Sequence, residues 1–82
     1  SLSFIGEDKT DGKRRMQQTW QHIIDALCSV LQQDPQIRHD AFTETFTAER
    51  FADHLFSLML SALLRQDYDP VVVLEIVQRT LY

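Results

Sequence analysis

At 82 residues, with eight Lys and Arg against twelve Asp and Glu and a formal net charge of −4, the chain is long enough for one domain and too short for two. An apolar fraction of 44 % with only two Gly and two Pro excludes a disordered or low-complexity polymer and leaves few places for sharp turns, which favours helices. The negative balance argues against attraction to nucleic acid or anionic lipid by the molecule as a whole, and no apolar run reaches the roughly 18 to 20 residues of a membrane span.

Residues 1–12 read as a flexible N-terminal arm, in which Gly6 and Gly12 bracket the polar run Glu7, Asp8, Lys9, Thr10 and Asp11. Leu2, Phe4 and Ile5 are its apolar exception, and Phe4 and Ile5 are candidates for docking into a groove on the body or on a second copy. From Lys13 to about Gln33, Met16, Trp20, Ile23, Ile24, Leu27 and Leu31 recur at helical spacing opposite Gln17, Gln18, Gln21, Asp25, Ser29 and Gln32. That pattern predicts an amphipathic helix, satisfied by one neighbour and ended by Asp34-Pro35, since proline disfavours helical geometry in the residue before it.

The same dipeptide can start a short helix, with Asp34 as N-cap, Pro35 in the first helical position and Ile37, Ala41 and Phe42 on one face. Thr43, Thr45 and Thr47 weaken anything beyond. Thr47 then suits the N-cap of a second long helix running to about Gln66, with Glu49 in its first turn, where the helix dipole favours a negative charge. Phe51, Leu55, Leu58, Met59 and Ala62 form its stripe, and Phe56, Leu60, Leu63 and Leu64 make its C-terminal half apolar nearly all round. Residues 70–82 are rich in Val and Ile, so strand and helix compete. Helix is favoured, because Asp69-Pro70 is a start signal and no second strand exists to pair with. Pro35 and Pro70 stand 35 residues apart, but their flanks do not match and two units are fewer than a solenoid needs.

Few residues suggest chemistry. His22, His39-Asp40 and Asp53-His54 are types that bind metal in hydrolases, yet such a site needs several helices to converge its ligands, and His22 falls on the polar face of its helix. Cys28 lies beside an apolar stripe without a base or positive field to activate it, so it reads as a small core residue. As the only cysteine it forms no internal disulfide, which fits a reducing compartment and a cytoplasmic location. Lys13, Arg14 and Arg15 form the one dense basic run, a candidate nucleic-acid contact offset by Glu7, Asp8 and Asp11 just upstream.

The expected fold is therefore all-α, a small bundle of three to four helices over residues 13–82, completed by dimerisation. No cofactor or metal is called for and no enzyme is expected. The expected role is a non-enzymatic protein–protein interaction or dimerisation module, of a regulatory kind, whose partner is a second copy or another protein. The residues assigned to its interface are Phe56, Leu60, Leu64, Val73 and Val77, with Phe4 and Ile5 as the docking arm. Two other readings stay open: a small DNA-associated regulator using Lys13, Arg14 and Arg15, and a metal-dependent hydrolase-like site. The chain begins at Ser1 and ends at Tyr82 inside an apolar periodic stretch, as a segment of a longer protein would.

Overall fold

The computed structural model describes residues 2–82, with side chains described from residue 10 onward. It is all-helical: α1 spans Leu2–Gln33, α2 spans Ala48–Leu64 and α3 spans Val71–Leu81, with no strand among the described residues. None of these helices is long and apolar enough to cross a membrane. The molecule is elongated, measuring 55 × 29 × 19 Å, because α1 is much longer than the two helices that follow it.

α1 begins ahead of the expected Lys13, and Thr10, Asp11 and Gly12 are already helical. A local reason is that Asp11 pairs with Arg14 and with Arg15, the latter at 3.0 Å, and partners at both three and four residues are neighbours on a helix face. The rest of the arm expected over residues 1–12, including Phe4 and Ile5, lies outside the residues whose side chains are described.

The short helix expected after Pro35 does not form, so the described residues make three helices rather than four. Residues 34–47 are a chain of turns because their polar groups have partners that a helix would not offer. The Asp34 carboxylate accepts the Gln36 N–H at 2.9 Å, the bond an N-cap would make, but the Arg38 N–H then donates to the carbonyl of Leu81 at 2.8 Å instead of to a residue one turn back. Further on, the Phe46 N–H donates to Thr43 Oγ1 at 3.0 Å, and the Arg50 guanidinium donates to the Thr45 carbonyl at 2.9 Å.

α2 starts as its sequence suggests, with Thr47 Oγ1 accepting the Arg50 N–H at 3.1 Å. It ends in a Schellman turn: the Asp67 N–H reaches the Ala62 carbonyl at 2.9 Å and the Gln66 N–H reaches that of Leu63 at 3.0 Å, with Gln66 left-handed at φ 56°. For α3 the competition between helix and strand resolves to helix. Pro70 is its N-cap residue, the Asp69 carboxylate accepts the Val71 N–H at 3.0 Å, and the first helical bond runs from Leu74 N–H to the Pro70 carbonyl.

The core sits at one end. Ala41, Phe51, Leu55 and Leu81 are buried there, with Leu31, Ile37, Phe42, Val73, Ile76 and Val77 packed around them. Phe42, Phe46 and Phe51 form a ring cluster with centroids 5.7 to 6.3 Å apart, an arrangement worth about 0.5 to 1.5 kcal/mol per pair beyond area burial. α2 packs against both other helices, whereas among the described residues no Cα atom of α1 comes within 8 Å of one in α3. The lack of a third neighbour corrects one expectation. The apolar stripe of α1 is not satisfied by a single partner: Ile24 is buried and Trp20 meets Phe56 edge-on at 6.0 Å, but Met16, Ile23 and Val30 stay exposed.

Candidate interaction surface

α3 is fastened at its C-terminal end. Beyond the Arg38 N–H bond to Leu81, the Arg38 guanidinium donates to the Thr80 carbonyl at 2.7 Å, placing a cation at the negative end of the helix dipole. The Tyr82 hydroxyl donates to the Asp34 carboxylate. That bond, joined by the Gln36 N–H, holds the Asp34 carboxyl below the usual carboxylate range, and its reciprocal effect pushes the Tyr82 phenol up.

The helix turns one stripe, Val73, Ile76, Val77, Thr80 and Leu81, toward the body at spacings of three, one, three and one residues, and all five are buried or half-buried. The opposite side therefore faces water whatever its chemistry, and in the first turn it holds Val71, Val72 and Leu74. Across the turn at residues 65–70, the end of α2 does the same. Its buried positions are Ala48, Phe51, Ala52 and Leu55, all in its first half, and its last turns leave the core.

The result is a contiguous stretch of chain with large apolar side chains in water. Leu63, Leu64, Tyr68, Val71, Val72 and Leu74 are each exposed by more than half, from 58 % at Leu63 to 76 % at Leu64. An open groove of about 310 Å³ runs between Met59, Leu63, Tyr68, Pro70 and Leu74, with Asp67 and Asp69 among its lining residues. A second hollow of about 250 Å³ is lined by Leu58, Arg65, Val72 and Ile76 and shares Asp67, Asp69 and Val73 with the first. Exposed apolar patches of this kind, bordered by carboxylates, mark contact sites for other chains.

Of the residues assigned to an interface from sequence, Leu64 is the most exposed and lies on this edge. Phe56 and Leu60 are half-buried, Phe56 against Trp20. Val73 and Val77 turn inward onto the core, although Val73 also lines the groove. The sequence places the apolar surplus in residues 55–64 and 70–82, which contain Leu63, Val71, Val72 and Leu74 without singling them out, and Tyr68 lies between the two stretches. The available signal was phase: once Leu81 and Val77 are taken as the inward positions of α3, Val71, Val72 and Leu74 fall outward.

The other candidates do not converge. Lys13, Arg14 and Arg15 are exposed, but Asp11 takes up both arginines, and the run lies within a helix rather than at its start. His22 is exposed, Asp40 pairs with Arg38 at 3.0 Å, and the His54 ring nitrogen Nδ1 lies 2.8 Å from the Arg50 carbonyl. No three His, Cys, Asp or Glu side chains among the described residues are grouped to hold a metal ion. Cys28 is half-buried and free. Comparisons of the chain with known protein families, with curated proteins and with solved structures found no match.

Proposed function

We propose that this chain is a non-enzymatic protein–protein interaction module that self-associates and that docks a partner protein through the edge formed by the end of α2 and the start of α3. The observation that carries this reading is the exposure of Leu63, Leu64, Tyr68, Val71, Val72 and Leu74 along one connected edge. Full burial of such a side chain is worth about 1.5 to 3 kcal/mol, so covering even a few of them supports a stable contact. The groove fits an apolar segment of the partner, and Asp67 and Asp69 favour one flanked by Lys or Arg. The unpaired cysteine suits a reducing location, the cytoplasm.

The test uses neutral substitutions, so that no charge is added. Leu64→Gln with Val72→Gln, at positions 76 % and 65 % exposed, changes stability by no more than about 0.5 kcal/mol. An amphipathic Leu/Lys model helix, titrated by fluorescence anisotropy, saturates with the wild-type chain and binds the double variant roughly tenfold more weakly. Equal affinity for the two chains, or no saturable binding to either, overturns the reading.

A further inference from the structure

α1 carries a second uncovered face. Met16, Thr19, Ile23, Ala26 and Val30 recur at alternating steps of three and four residues, the spacing of a seam that meets another helix. All five are exposed, Val30 by 66 %, Met16 by 48 % and Ile23 by 40 %. At 3.6 residues per turn this seam lies about a quarter-turn from the stripe of Trp20, Ile24, Leu27 and Leu31, so it flanks the contact with α2 without sharing it. The apolar arc of α1 is thus about twice what one neighbouring helix covers.

Charge indicates what covers the rest. From Met16 to Gln33 the only Asp, Glu, Lys or Arg is Asp25, which accepts a hydrogen bond from Gln21 Nε2 at 2.9 Å on the side away from the seam. A helix face meant for water normally carries several charges. A chain of net charge −4 repels its own copy, so self-association favours a face without charge, and this is one. The seam also complements itself. Large Ile23 and Val30 alternate with small Ala26 and Thr19, and in an antiparallel pair Ile23 stands opposite the partner's Ala26 and Val30 opposite the partner's Thr19. The four layers between Thr19 and Val30 then each hold one large and one small side chain, so the helices keep an even separation there, with Met16 opposite the partner's Gln33 at each end. A parallel pair would instead set large against large and small against small.

We infer that two copies of this chain associate through antiparallel pairing of α1 along Met16, Thr19, Ile23, Ala26 and Val30. This rests on reading the chain as an interaction module; it assigns self-association to α1 and leaves the α2–α3 edge to a different protein. From Met16 to Val30 the contact is about 21 Å long, which sets the pair among the smaller interfaces.

The test is sedimentation and cross-linking of the full chain. Val30→Glu, at a seam position 66 % exposed, and separately Ile23→Glu, keep the helical circular dichroism of the wild type and weaken the dimer roughly a hundredfold. Leu64→Gln with Val72→Gln leaves the dimer unchanged. In a Cys28→Ser background, a mixture of Thr19→Cys and Val30→Cys chains forms a mixed disulfide, whereas Thr19→Cys alone does not cross-link. Cross-linking of Thr19→Cys with itself overturns the antiparallel arrangement. A dimer that survives Val30→Glu but is lost on the edge substitutions overturns the α1 assignment while leaving the proposed function in place. A monomeric wild type at all micromolar concentrations overturns the inference, and the peptide titration then decides whether edge docking stands.

Discussion

The Tyr82 hydroxyl and the Asp34 carboxylate tie the last residue of the chain to the turn that follows α1, and this one bond makes the attachment of α3 depend on pH from two sides. Asp34 has a lowered folded-state pKa, so its contribution is present above the ordinary aspartate value and lost as pH falls through the folded value. Tyr82 has a raised one, so its contribution is present below the ordinary tyrosine value of about 10 and lost as pH rises through the folded value. With Tyr68→Phe in place, an ultraviolet titration reads Tyr82 alone. Its midpoint is expected above that of free tyrosine and should fall back when Asp34→Asn is added; a midpoint insensitive to Asp34→Asn would show that the bond does not form. None of this is visible in the sequence, where 48 positions separate the partners. Arg38 is similar: nothing in its neighbourhood announces that its N–H and guanidinium serve the end of a helix more than 40 residues away.

At the scale of elements, local chemistry made much of the fold legible. Thr47 as N-cap, Asp34-Pro35 as a stop and Asp69-Pro70 as a start are short-range signals, and each marks a boundary in the structure. The failure after Pro35 has a different origin, because the Arg38 N–H, which would close that helix's first turn onto Asp34, is taken by the Leu81 carbonyl of α3, a contact no local window contains. The end of α2 holds a testable departure from the usual chemistry. Gln66 occupies the left-handed position of the Schellman turn, where glycine is preferred because a side chain there costs about 1 to 2 kcal/mol. Gln66→Gly is expected to raise stability by about 0.5 to 1 kcal/mol after allowance for the added freedom of the unfolded chain. Thermal unfolding followed by circular dichroism checks it, and a lowered midpoint would mean that the Gln66 side chain has a stabilising role outweighing its backbone cost.

For the whole molecule, an accessible surface of 6752 Å² exceeds the roughly 5,100 Å² expected of a compact 9.6 kDa protein, in keeping with its elongated shape. Composition already pointed to surplus apolar surface on a small helical chain. Its place in residues 55–64 and 70–82 was legible, but not which sides stay open, since that depends on which helices touch: among the described residues no Cα atom of α3 comes within 8 Å of one in α1, and both α1 and the α2–α3 edge keep an uncovered side. Under the proposed function these surfaces serve association. Sedimentation equilibrium of the wild-type chain across the micromolar range tests this most directly. The expected result is a mass that rises with concentration from the 9.6 kDa of one chain toward that of two. A single species of 9.6 kDa at every concentration would contradict it.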